Sequence, residues 1–186
     1  FCDANKAGWP CWSFSNHDVN RHVSRWLKHA REPAALARQA VAMLIALKGS
    51  ICLYQGEELG LPQADMLFEE LTDPPGIRFW PEYKGRDGER TPMPWDAGEA
   101  PNGFTTGTPW LPVKPNHSAL AVAGQNDDPD STLNHYRAAL AFRRAHPALK
   151  DGDIEVLKLG EPVLGFRRWT GAERLVCLYN LSPDPV

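Results

Sequence analysis

The stretch "PAALARQAVAMLIALKGSICLYQG", residues 33–56, sets the fold class. Its first part, Pro33 to Lys48, reads as a helix. Proline suits the first helical turn, and alanine and leucine dominate the turns after it. Apolar residues cover more than one face, which predicts a well-packed helix. Gly49 can adopt the left-handed conformation that stops it. "SICLYQG" comes at once, with the β-branched and aromatic residues of a strand, closed by Gly56. Upstream, "CWSFSNHDVNRHVSRW" (11–26) holds another strand over residues 12–15, which ends at Asn16. Strand, helix, strand with short links is the pattern of a parallel α/β sheet.

Downstream the pattern changes twice. Residues 59–128 hold most of the prolines and glycines and little periodicity. Their aromatic content argues for an ordered, functional loop rather than disorder. "DPDSTLNHYRAALAFRRAHP" (128–147) then reads as a helix. Asp130 or Ser131 caps it, Leu133, Tyr136 and Leu140 form its stripe, and Pro147 ends it. From Ile154, "IEVLKLG", "VLGFRRWT" and "RLVCLYNLS" read as three short antiparallel strands. A boundary is therefore expected near residue 150, with an α/β part over 1–150 and the start of a β domain over 151–186.

Composition removes several function classes. Acidic residues outnumber basic ones, 23 to 20, which disfavours a nucleic-acid or anionic-membrane partner. No apolar stretch is long enough to cross a bilayer. The four cysteines make no metal spacing; Cys52 and Cys177 lie in apolar runs and are expected to be buried thiols. A reducing, cytoplasmic compartment fits them, with a Cys2–Cys11 bridge left open. The chain opens on Phe and ends just past a strand signal, so both ends read as cut. No phosphate loop, dinucleotide fingerprint or G-x-S-x-G occurs, and His17 and His22 are wrongly spaced for a helical metal face.

Three clusters can carry chemistry. Asn16, His17 and Asp18 stand where a strand runs out, and parallel α/β folds present such ends to the active site. A carboxylate there can stabilise positive charge, act as a base or bind a sugar hydroxyl. The plainer alternative is that Asp18 caps the next helix. Glu57 and Glu58 end the second strand. Glycoside hydrolysis uses two carboxyls, but neighbours on an extended chain point to opposite sides, so at most one can face a pocket. In "KGRDGERTPMPWD" (84–96), Arg86, Asp87, Arg90 and Asp96 can form directed arginine–carboxylate pairs. These either orient ligand hydroxyls and keep catalytic carboxylates ionised, or only stiffen the loop. Trp80, Trp95, Phe104 and Trp110 can stack on sugar rings; the default is a small core for the long loop.

Four segments in order, "SNHD" (15–18), "GSICLYQGEELGLP" (49–62), "GRDGERTPMPWD…GFTTGTPWLPV" (85–113) and "DDPDSTLNHYRAALAFRRAHPAL" (127–149), resemble the α-amylase family of glycoside hydrolases, family thirteen. The likeness is to its α-glucosidase and oligo-1,6-glucosidase branch. It implies a (β/α)8 (TIM) barrel followed by an antiparallel β-sandwich domain, of which this chain holds the last two βα units and part of the sandwich. It also implies retaining hydrolysis of terminal α-linked glucose from oligosaccharides or disaccharides. By the resemblance Asp18 stabilises the transition state, His17 and Arg86 bind the sugar, and Glu57, Glu58, Asp87 and Arg90 support them from behind. The family's nucleophile, acid/base and calcium loop would precede residue 1. The chain is thus expected to be a C-terminal portion, a truncated reading frame or one piece of a split enzyme, inactive alone and lacking any cofactor. Its partner would be the missing N-terminal barrel portion. A non-catalytic scaffold or binding subunit of the same fold, a sucrose isomerase and a transglycosylase are the alternatives.

Overall fold

The computed structural model describes residues 8–98 and 101–186. Strand β1 (Cys11–Trp12) pairs in parallel with β2 (Ser50–Ile51), Cys11 opposite Ser50 and Trp12 opposite Ile51. Between them run α1 (His22–Trp26) and α2 (Pro33–Ala46). This is a strand–helix–strand unit, as the sequence predicts. The regular strands are two residues each rather than the longer runs expected. The bonds from Ser50 N to the Pro10 carbonyl and from Cys52 N to the Trp12 carbonyl, both 2.8 Å, flank the pair.

Pro33 opens α2 as expected. The helix stops at Ala46, where Leu47 turns extended. Gly49 has a positive φ of 129°, but it serves the turn into β2 rather than the helix end. Two arginines close the C-terminal end of α2. Arg143 donates to the carbonyls of Ile45, Leu47, Gly49 and Leu149, and Arg168 to those of Ala46, Leu149 and Gly152. The last carbonyls of a helix have no partner within it, and cations suit that end of its dipole.

Helix α6 (Thr132–Ala145) is capped by the Ser131 hydroxyl, which accepts from Asn134 N at 3.1 Å. Val41 and Ile45 of α2 pack on Tyr136 and Ala139 of α6, with Ile51 and Leu53 against them. Pro147 ends α6 and opens α7 (Pro147–Lys150). The antiparallel sheet is β3 (Asp153–Leu157), β4 (Val163–Thr170) and β5 (Glu173–Asn180), in the order β3-β4-β5. Phe166 of β4 seats on Ala46 and Leu149, and the Tyr179 hydroxyl donates to the Ala42 carbonyl at 3.0 Å. The sheet is thereby fixed onto the end of α2.

The long segment 59–128 has structure of its own. It contains α3 (Pro74–Arg78), α4 (Pro115–Ser118), α5 (Val122–Asn126) and three-residue helical turns at 68–70 and 87–89. Two small cores hold it: Leu59, Leu61 and Met93 with Leu133, and Ala64, Met66, Leu71 and Leu111 with Trp80. Trp80 therefore serves the loop core, while Trp95, Phe104 and Trp110 stay exposed and do not.

Two expectations about thiols need correction. Cys52 is exposed and Cys177 only half-buried. Alternation explains the first. Ile51 and Leu53 face the helices, so Ser50 and Cys52 face the other way, alongside Cys11 and Ser13 on an uncovered side of the strands. Cys11, Cys52 and Cys177 are free; Cys2 lies outside the described residues.

Candidate active site

Asp18 sits six residues beyond β1, in a turn fixed by its own neighbours. Asn16 Oδ1 accepts from Asp18 N at 2.8 Å, an Asx turn that the short polar side chain makes easily. The carboxylate does not cap α1, whose cap position is Arg21 with no side-chain bond. It meets two arginines instead. Arg86 Nη1 and Arg90 Nη2 each donate to Asp18 Oδ1 at 3.0 Å, and His17 Nε2 lies 3.3 Å from Oδ2. Arg90 also donates from Nε to the His17 carbonyl at 2.9 Å.

The sequence-derived residues Asp18, His17, Arg86 and Arg90 thus come together across about seventy residues of chain. Partial burial pushes the Asp18 carboxyl up. The bond from Arg86, the charges of His17 and Arg86 and the bond from Arg90 outweigh it, so the group lies below the ordinary aspartate value. It stays ionised at neutral pH. Its side chain is 49% exposed, so the cluster forms the floor of an open surface.

The loop that delivers the arginines is itself anchored. Arg86 makes a fork with Asp73: Nε to Oδ2 at 3.0 Å, Nη2 to Oδ1 at 2.9 Å, and its backbone N to Oδ2 at 2.9 Å. These bonds, led by that of the Arg86 side chain, hold the Asp73 carboxyl down. Arg86 is in turn pushed above the ordinary arginine value by Asp73 and Asp18. Gly76 of α3 and Gly85 let the helix and the segment before Arg86 touch. A Cβ on Gly76 would stand 2.7 Å from the Lys84 carbonyl, and Gly85 has a φ of +74°.

Arg90 is aimed by what precedes it. The Glu89 carbonyl accepts from Arg21 Nη2 at 3.0 Å and from the Tyr54 hydroxyl at 2.9 Å. Arg21 is buried, lies 5.1 Å over the Tyr54 ring, and bonds the Gln55 carbonyl at 2.8 Å. The start of α1 and the segment after β2 are thereby tied to the arginine loop. Burial raises the Glu89 carboxyl above its usual range and lowers the Arg21 guanidinium below its own.

Other expected residues lie elsewhere. The φ of +89° at Gly56 turns residues 57–59 into a tight helical turn, so the extended-chain premise for the glutamates fails. Glu57 is buried, with Oε1 3.4 Å from His22 Nδ1, and Glu58 Oε2 accepts from Gly56 N at 2.8 Å. Asp87 is buried and accepts from Thr72 N (2.6 Å), Thr72 Oγ1 (3.1 Å) and Asp73 N (2.9 Å). Asp96 accepts from Gly98 N at 3.0 Å within its own turn. The arginines therefore pair with Asp18 and Asp73, not with their sequence neighbours Asp87 and Asp96. Asp73 is not legible from the sequence because an aspartate before a proline looks like an ordinary helix start. No group of three or more His, Cys, Asp or Glu is gathered to hold a metal among the described residues, and no helix among them could cross a membrane.

A model of the alpha-amylase catalytic domain matches residues 1–152. The chain belongs to the alpha-amylase family. Among curated members of that family, the probable alpha-glucosidase of Rhizobium meliloti (strain 1021) is 50% identical, over 99% of this chain and 33% of its own length. The oligo-1,6-glucosidase of Heyndrickxia coagulans is 36% identical, over 96% of this chain and 36% of its own. Among solved structures, the alpha-glucosyl transfer enzyme XgtA superposes with a TM-score of 0.90 at 54% identity, covering 96% of this chain and 33% of XgtA. A trehalulose synthase, MutB, gives 0.82 at 27%, covering 96% of this chain and 36% of MutB. The chain spans about a third of the length of these relatives.

Proposed function

We propose that this chain is the C-terminal portion of a retaining α-glucosidase acting on terminal α-linked glucose of oligosaccharides or disaccharides. Asp18 grips the hydroxyls of the terminal glucose and stabilises the oxocarbenium-like transition state. His17 and Arg86 bind the same sugar, and Arg90 holds Asp18 ionised and in place. Glu57, Glu58 and Asp87 support the loops from behind. Residues 1–150 are the last part of the (β/α)8 barrel, and 151–186 begin the β-sandwich domain. The nucleophile, the acid/base and the rest of the pocket wall come from the N-terminal barrel portion, which is the partner this chain needs. No cofactor is required. A reducing cytoplasm suits the free thiols of Cys11, Cys52 and Cys177.

The observation that carries this reading is the carboxylate in the turn six residues after a parallel strand, clasped by two arginines in a chain of this family. Besides such a stabilising carboxylate, retaining glycosidases need a nucleophile and an acid/base carboxyl about 5–5.5 Å apart. Glu57 is buried beside His22 with neither carboxyl oxygen hydrogen-bonded, and Glu58 accepts from Gly56 N, which supports an origin of the reacting pair outside this chain. The uncovered face of β1 and β2, lined by Cys11, Ser13, Ser50 and Cys52, is where further strands would enclose the site.

The test is turnover of a chromogenic α-glucoside. The chain alone gives none, and the chain joined to the N-terminal portion of such an enzyme does. Asp18→Asn then cuts kcat at least ~100-fold, since it removes charge stabilisation made in the transition state. Turnover by the isolated chain, or a kcat within a fewfold of the parent for Asp18→Asn, would refute it. The likeness to XgtA favours a second reading, glucosyl transfer, because hydrolysis and transfer share one covalent intermediate. Product analysis separates them: free glucose marks hydrolysis and lengthened or rearranged saccharides mark transfer.

A further inference from the structure

We infer that Asp73 is a positioning residue for the site: it locks the Arg86 guanidinium in the one orientation that leaves Nη1 for Asp18, and Asp87 with Thr72 locks Asp73. A guanidinium has five N–H groups in a rigid fork. Asp73 takes the edge formed by Nε and Nη2, at 3.0 and 2.9 Å, and the Arg86 backbone N as well. A guanidinium held along that edge cannot rotate about its side-chain bonds without breaking both contacts. Its remaining nitrogen, Nη1, then points at Asp18 Oδ1.

Asp73 itself has little freedom. It is buried, and its backbone N is pinned by Asp87 Oδ2. Asp87 is fully buried and also takes the amide and hydroxyl of Thr72. The order of dependence runs from Asp87, through the backbone at 72–73, to the Asp73 carboxylate, to Arg86 and then to Asp18. A loop salt bridge that only added stability would not need the fork, the main-chain bond and a second buried carboxylate all converging on one arginine. Bidentate Arg–carboxylate geometry brings directional specificity as well as energy.

Removing Asp73 by Asp73→Asn separates positioning from plain charge. If Arg86 stays in place, deleting a nearby negative charge leaves Asp18 facing two cations with less competition, and its titration midpoint moves down. If Arg86 loses its orientation, Asp18 loses a donor and its midpoint moves up, toward the ordinary aspartate value. Carboxyl-carbon NMR of the full chain, free of sugar, reads the direction. We expect the upward shift, and a downward shift or none would overturn the inference.

A second measurement needs no variant. In the parent chain, the Arg86 Nε–H resonance should be protected from solvent exchange and its Nη groups resolved, as restrained guanidinium rotation requires. A freely exchanging, averaged Arg86 would also overturn the inference, even if Asp73→Asn fails to fold. The consequence for sugar binding rests on the proposed glucosidase function. Both readouts are made without sugar, so they stand or fall separately from it.

Discussion

Acidification below pH 6.5 should weaken the loop that carries both arginines, through His117. This imidazole is fully buried in the loop core, with Nε2 2.9 Å from the Pro62 carbonyl and Nδ1 3.3 Å from the Thr91 hydroxyl. A carbonyl only accepts, so Nε2 carries the proton and Nδ1 accepts from Thr91, the residue next to Arg90. Burial pushes the imidazole down from 6.5 to about 4; the bond to Pro62 opposes this, and the charges of Arg21 and Lys114 add to it. Between those two values the unfolded chain takes up a proton that the folded chain refuses. Stability therefore rises with pH across this window and is lost as pH falls through it. The gap from 6.5 to about 4 corresponds to about 3 kcal/mol at 1.36 kcal/mol per unit. Urea unfolding of the parent and of His117→Gln, at several pH values from 7 to 4, checks it. Glutamine does not titrate, so the variant should lack most of the slope that His117 contributes. Equal slopes for the two proteins would refute the assignment of a buried neutral imidazole.

Other substitutions probe the same geometry. Gly76→Ala places a Cβ 2.7 Å from the Lys84 carbonyl and 2.9 Å from Gly85 Cα, so α3 and the 84–85 segment must part. A lower Tm should accompany loss of Arg86 Nε–H protection. Leu149→Ala empties a buried site between Ala46 and Phe166 and should cost about 2–5 kcal/mol in urea unfolding. Arg143→Met leaves carbonyls at Ile45, Leu47, Gly49 and Leu149 without this donor, and should cost ~2 kcal/mol or more while sparing the Asp18 titration.

Periodic elements were readable in the sequence because their cause is local. Pro33 and the run of alanine and leucine specify α2, Ser131 specifies the start of α6, and alternation over 153–180 specifies the three strands. "NHD" and "GRDGER" were readable as chemistry because ionised groups crowd where apolar runs end. The partners were not. Arg86 lies one residue from Asp87 yet bonds Asp73, thirteen residues back, because a turn over 87–89 aims Asp87 inward at Thr72. The direction of Glu57 was lost for a similar reason: one positive-φ glycine, Gly56, replaced the strand geometry on which alternation depends. Cys52 shows the limit of composition. An apolar run marks a strand, but only neighbouring layers decide which of its faces is covered.

Asp18 is separated from Arg86 by 68 positions and from Arg90 by 72. The anion and its cations are therefore neighbours only in a chain whose intervening helices and turns have already closed around them. Replacements in that span that leave bulk folding intact can still splay the clasp. Mutational tolerance there should be limited by the geometry of this clasp as well as by the burial of the core residues it contains.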